Sequence, residues 1–152
     1  MNYTGVDWHK RYSVCYTVNS EGKRLKEQKI EGNRPELFAQ YFGSLEGPHH
    51  VVHEACWNWP KLHEVLEKME GMEEVVLAHP HKTRLIADAQ IKTDRLDAKA
   101  LATLLGGQLV ARVHVPERPA RQRKLLLRQR LQLAPLRTMI RNRIHVIVDR
   151  QH

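Results

Sequence analysis

Four acids in this chain have the type and spacing for metal chemistry: Asp7, Glu54, Asp94 and Asp97. The last two stand in Lys92-Thr93-Asp94-Arg95-Leu96-Asp97-Ala98-Lys99-Ala100-Leu101, which reads as the first turn of a helix. Carboxylates at i and i+3 share one helix face and repel unless something compensates. One compensation is the helix itself, with Asp94 as N-cap and Asp97 as the acid of a capping-box-like start. The other is a divalent cation held by hard oxygen ligands. Asp7 lies in an apolar stretch, Tyr3-Thr4-Gly5-Val6-Asp7-Trp8, and Glu54 in Val51-Val52-His53-Glu54-Ala55-Cys56. An acid inside such a strand is usually paired or functional, because strand interiors disfavour it.

The elements that must position these acids can be read in order. Tyr3 to Trp8 and Arg11 to Val18 predict two strands, rich in β-branched and aromatic residues. Asn19-Ser20-Glu21-Gly22 is a turn, and Lys23 to Glu31 a third, partly exposed strand, completing an antiparallel meander. Gly32 to Glu36 opens a helix, with Asn33 as its cap candidate and Leu37, Phe38, Tyr41 and Phe42 as its apolar face. A strand over His50 to Ala55, a helix carrying Leu62, Val65, Leu66 and Met69, and a strand over Glu74 to Ala78 follow. Pro80 to Ala89 predicts a short helix, and Thr93 to Leu105 a longer one closed by Gly106-Gly107. The order β-β-β-α-β-α-β-α is that of an α/β, ribonuclease H-like mixed sheet with flanking helices. Such a sheet sets the first and fourth strands side by side, so Asp7 and Glu54 meet at one edge, against the helix of Asp94 and Asp97. Converging acids imply bound Mg²⁺ or Mn²⁺, and two ions about 4 Å apart would clamp the oxygens of a phosphodiester reaction.

Charge divides the 152 residues unevenly. Residues 1–116 hold fifteen Lys and Arg and fifteen acids, whereas 117–152 hold ten Lys and Arg against Glu117 and Asp149. The net +8 is therefore confined to the last quarter, a basic arm after a neutral body, and it points to a polyanion partner. In the arm Arg121, Arg123, Lys124, Arg128, Arg137, Arg141 and Arg143 interleave with a sevenfold repeat at Leu126, Leu133, Ile140 and Ile147. That pattern predicts a basic helix, or two, with a partial coiled-coil seam. Pro135 should kink or divide it, since proline removes a hydrogen bond and crowds the preceding turn. Arginine outnumbers lysine there, which suits bidentate phosphate contact. Cys15 and Cys56 set no disulfide framework, and no apolar run approaches the roughly 18 residues of a membrane span, so the expectation is a reduced cytoplasmic protein without a membrane partner.

Three blocks now carry a family resemblance: Gly5-Val6-Asp7-Trp8-His9-Lys10, His53-Glu54-Ala55 and Lys92-Thr93-Asp94-Arg95-Leu96-Asp97-Ala98. Together they resemble the acidic blocks of the DEDD transposases of insertion-sequence 110 type and their Piv-type DNA invertase relatives. Arg137 to His145 resembles the basic helical segment of that family. The resemblance implies a Holliday-junction-resolvase-like catalytic domain over residues 1–116, with Asp7, Glu54, Asp94 and Asp97 binding Mg²⁺. It also implies a dimer-forming coiled coil over 117–152, and DNA recombination guided in some members by a structured RNA. Family members carry a further C-terminal domain whose serine is the nucleophile, whereas Ser13, Ser20 and Ser44 all precede the arm. The expectation is thus a truncated arm and an incomplete chemical site.

Around the acids, Lys82, Arg84, Lys92, Arg95 and Lys99 could hold phosphates or merely balance the carboxylates, and Lys10 could touch a phosphate or sit in a solvated turn. His9 could touch a phosphate or sit in a solvated turn, and Trp57 and Trp59 could stack on a base or pack a core. The ten histidines show no zinc-like ligand spacing. Two functions stay open: a two-metal strand-transfer domain, or a non-catalytic fragment that only binds nucleic acid and dimerises. A sugar-kinase or actin-like ATPase ranks last, because no glycine-rich phosphate loop follows the first hairpin.

Overall fold

The computed structural model describes residues 1–56, 58–86 and 93–151, and these divide into two units, Met1–His114 and Val115–His152. The first unit is built on a five-stranded sheet: β1 (Asn2–Trp8), β2 (Tyr12–Asn19), β3 (Arg24–Glu31), β4 (His49–Glu54) and β5 (Met72–Ala78). Their order across the sheet is β3-β2-β1-β4-β5, with β1–β2 and β2–β3 antiparallel and β1–β4 and β4–β5 parallel. The helices are α1 (Pro35–Gly43), α2 (Trp59–Leu66), α3 (Pro80–Ile86) and α4 (Asp94–Gly106). This is the ribonuclease H-like arrangement anticipated from the element order. The region expected to extend the third helix to Ala89 lies outside the described residues.

Both sheet faces are covered, which is why the central strands β1, β2 and β4 are buried almost throughout. On one face Val6, Cys15, Ile30 and Val51 pack with Phe38, Tyr41 and Phe42 of α1 and Leu62 and Leu66 of α2. The other face is packed by α4. Its Ala98 and Ala102 meet Val14, Tyr16 and Val18, and its Leu101 and Leu105 meet Val52, Val76 and Ala78. Small residues let this helix approach β1 very closely. A Cβ built on Gly5 would overlap the Ala98 carbonyl and stand 2.7 Å from the Ala102 nitrogen, so only glycine fits there.

That contact sets the geometry of the site. Strand side chains alternate, so Gly5 and Asp7 share the α4 face of β1. The helix runs against the strand: Gly106 lies beside Tyr3, Ala98 and Ala102 lie over Gly5, and Asp94 arrives beside the end of β1. Asp94 and Asp97 extend the Ala98–Leu101–Ala102–Leu105 face toward the sheet.

Two cap assignments differ from the expectation. The N-cap of α4 is Thr93, whose Oγ1 accepts from the Leu96 amide at 3.2 Å, so Asp94 is the first helical residue. Asp97 lies one residue beyond the capping-box position, and its amide donates to the Thr93 carbonyl at 3.0 Å. The N-cap of α1 is Arg34, without a side-chain cap. Asn33 instead adopts a left-handed φ of 52° and spends its amide elsewhere. Its Nδ2 donates to the His9 carbonyl at 2.7 Å, and its Oδ1 accepts from Ser13 Oγ at 2.6 Å. Asparagine tolerates that conformation better than other non-glycine residues, and its short side chain clamps the turn and the second strand of the β1–β2 hairpin.

The second unit is one helix, α5 (Arg118–Asp149). Pro119 sits in its first turn, where a missing N–H costs nothing. Pro135 lies inside it without dividing it. None of its residues is buried: Leu126, Leu133, Ile140 and Ile147 are 65%, 63%, 58% and 56% exposed.

Candidate metal centre and nucleic-acid interface

Asp7, the last residue but one of β1, carries a carboxylate that is 21% exposed and faces the start of α4. His9 lies two residues on, so it points to the same side, and its Nε2 stands 2.8 Å from Asp7 Oδ2. The same nitrogen is 3.5 Å from Asp94 Oδ1. The other Asp94 oxygen accepts from the Tyr12 hydroxyl at 2.8 Å. Among the described residues, Asp7, His9 and Asp94 can present ligand atoms that all lie within 4.8 Å of one another.

The charges agree with this crowding. Asp7 is held above the usual carboxylate range, first by burial, and further by the Asp94 and Asp97 carboxylates, while His9 pulls in the opposite direction. Tyr12 is raised in turn, first because its hydroxyl donates to Asp94. Glu54 closes β4, and the register that sets Val6 beside His53 carries on to Asp7 and Glu54 at the ends of adjacent parallel strands. The Cys56 thiol is pushed up, first by burial, and the Glu54 and Asp7 carboxylates add to the effect. Behind Glu54, His53 and His63 form a buried pair, Nε2 to Nδ1 at 2.9 Å, and burial drives His53 down to about 3. The four acids named from the sequence thus lie at one end of the sheet, with Glu54 and Asp97 flanking the tighter Asp7–His9–Asp94 group.

Two facing carboxylates, Asp7 largely covered and Asp94 partly exposed, with one imidazole between them fit a divalent cation, since oxygen donors dominate and a cation removes their repulsion. The serines play other parts. Ser13 is buried on Asn33, and Ser44 accepts from Lys26 Nζ at 2.5 Å and donates to the Tyr41 carbonyl at 2.8 Å.

Of the basic residues named beside the acids, Arg95 pairs with Glu27 at 2.9 Å, so it balances a carboxylate of β3. Lys10 and Lys99 are exposed. Lys92, Trp57 and the side chain of Arg84 lie outside the described residues. On α5, Arg123, Lys124, Arg128, Arg137, Arg141 and Arg143 are exposed, and Arg121 is half-buried.

A family model described as a transposase, that of the DEDD transposases of insertion-sequence 110 type, matches residues 4–152. The chain belongs to that family. No curated protein matched the chain. A DEDD transposase cuts and transfers DNA strands, so DNA is its expected partner, and the family generally uses divalent metals. Among the described residues of this transposase, no helix is long and apolar enough to cross a membrane.

The sequence left His9 between a phosphate contact and a solvated turn, and it placed Tyr12 only in a strand; the structure sets both beside Asp7 and Asp94. Both were marked by local pattern. His9 follows Asp7 by the strand period, and the hairpin that pairs Trp8 with Ser13 brings the His9 amide onto the Tyr12 carbonyl at 2.9 Å.

Proposed function

We propose that residues 1–116 form the metal-dependent catalytic domain of a DNA transposase, with Asp7, Glu54, Asp94 and Asp97 as ligands of two Mg²⁺ or Mn²⁺ ions. The observation that carries this reading is the approach of Asp94 to Asp7 through His9, across the Gly5 contact between α4 and β1. Thr93 serves as cap, so neither Asp94 nor Asp97 is needed to start the helix. Divalent ions held there would neutralise a phosphodiester and polarise the attacking and leaving oxygens. The chain's own part is to hold the carboxylates at fixed spacing. Tyr12 fixes one oxygen of Asp94, and burial keeps Asp7 oriented toward α4.

The proposed nucleic-acid interface is the basic arm, 117–152, through Arg121, Arg123, Lys124, Arg128, Arg137, Arg141 and Arg143, with Lys10, Arg95 and Lys99 contributing near the acids. Its exposed Leu126, Leu133, Ile140 and Ile147 are the seam of a homodimer or higher oligomer, as the family resemblance implies. A structured guide RNA would use the same cationic surface as DNA. The alternative, a non-catalytic binding fragment, shares the arm but does not require metal.

Calorimetry with Mg²⁺ and Mn²⁺ separates the two. Metal binding that is abolished by Asp97→Asn and by Asp94→Asn, with circular dichroism unchanged, supports the catalytic reading. Absence of metal binding at millimolar concentration would leave only the binding fragment.

A further inference from the structure

The inference concerns His9 and rests on the metal reading above. We propose that His9 is itself a metal ligand, and that its imidazole nitrogen biases the site toward Mn²⁺ over Mg²⁺.

Spacing is the first argument. An octahedral ion with bonds of about 2.1 Å separates adjacent donors by about 3.0 Å and opposite donors by about 4.2 Å. His9 Nε2 stands 2.8 Å from Asp7 Oδ2 and 3.5 Å from Asp94 Oδ1. The first is close to the spacing of neighbouring vertices, and the second falls between the neighbouring and opposite spacings, so one ion can reach all three groups with a small adjustment of Asp94.

The second argument is how firmly the residue is held. The His9 amide donates to the Tyr12 carbonyl at 2.9 Å, and its own carbonyl accepts from Asn33 at 2.7 Å. Asn33 is fixed in turn by the buried Ser13 hydroxyl, and the Gly32 amide closes the same loop on the Arg11 carbonyl at 2.7 Å. The ring lies against Tyr12, with centroids 4.6 Å apart and planes at 31°. Tyr12 also donates to Asp94, so one phenol backs the imidazole and orients the carboxylate beside it. A histidine serving only as a solvated turn has no use for this scaffold.

Selectivity follows from donor chemistry. Mg²⁺ takes oxygen almost exclusively and sheds water reluctantly. Imidazole is a softer donor, and Mn²⁺ accepts one nitrogen among oxygens more readily than Mg²⁺ does. A competing role for His9 is that of a counter-cation, bridging the two carboxylates by hydrogen bonds and leaving when an ion enters.

Electron spin echo spectroscopy of the full chain loaded with Mn²⁺ alone distinguishes these roles. Bound Mn²⁺ with nitrogen modulation, absent in His9→Ala, establishes ligation. His9→Asp, an all-oxygen variant, should then narrow the ratio of Mn²⁺ to Mg²⁺ affinity about tenfold. Bound Mn²⁺ without nitrogen modulation in the wild-type chain overturns ligation by His9 and leaves the four-acid reading standing. An unchanged Mn²⁺ to Mg²⁺ ratio in His9→Asp overturns the selectivity. No bound Mn²⁺ in the wild-type chain overturns both the inference and the metal reading beneath it.

Discussion

The sheet domain and the arm use apolar residues in opposite ways. In Met1–His114, Val6, Phe38, Leu62, Val76 and Leu101 vanish into the layers on either side of the sheet. In α5, Leu125, Leu131, Leu136 and Ile144 stay at least 49% exposed, although the helix is rich in leucine and isoleucine. Charge divides along the same line, with a neutral body and an arm that carries the whole excess of cations. Apolar content alone therefore does not mark a core. The body's apolar groups are buried within the chain, whereas the arm leaves both its apolar residues and its positive charge exposed.

The sharpest test of this contrast is salt. Nucleic-acid affinity carried by six or more arm cations should fall at least about 10³-fold between 50 and 200 mM salt. Fluorescence anisotropy with a labelled duplex measures it, and replacing Arg137, Arg141 and Arg143 by Ser should flatten the slope. A slope unchanged by that replacement would move the interface off the arm. Next in size is Gly5→Ala. Its methyl group meets helix backbone that cannot rotate away, so the body should lose about 3 kcal/mol, at the upper end for overpacking. Chemical denaturation should show that loss, while the metal affinity of the surviving folded fraction drops as α4 is displaced. Changing Leu133 to Ala, by contrast, should leave the body's unfolding within about 0.5 kcal/mol of wild type, because nothing in the described structure buries that side chain. Sedimentation should instead show weaker self-association.

Asp7 gives a smaller effect of the opposite sign. Its folded pKa is raised, so its contribution to stability is present at low pH and lost as pH rises through the raised value. In metal-free protein, Asp7→Asn should therefore raise the melting temperature by a few degrees at pH 7 and flatten the acid-side pH dependence. Added Mn²⁺ should stabilise wild type but not the variant. A lower melting temperature for Asp7→Asn without metal would show that Asp7 is structurally paired rather than held for a cation.

Much of the body was legible because its signals are periodic. The strand and helix order and the apolar faces of α1 and α2 follow alternation or 3.6-residue spacing, and the pairing of the Asp7 and Glu54 strands follows from the sheet order that this succession of elements implies. Cap identity was not legible, since Thr93 and Asp94, and likewise Asn33 and Arg34, offer overlapping cap chemistry and only the tertiary contacts choose between them. Asp94 is drawn off by Tyr12 and His9, and Asn33 by Ser13 and the His9 carbonyl. The place of His9 depended on the hairpin register, which a list of residue types does not contain. Pro135 leaves the helix undivided, against one of the two outcomes expected of it. In an exposed helix the residues on either side can continue the ladder, so one proline marks a local loss rather than an end.

Pro135 has a mechanical consequence. It stands about 25 Å along α5 from Arg118 and about 21 Å short of Asp149. At that point the ladder lacks the hydrogen bond that an amide would give to Leu131. The arm is thus a rod of two similar lengths meeting at a compliant joint. A torque applied to its far half is relieved there first, so the segment before Pro135 can keep its own line while the segment after it bends.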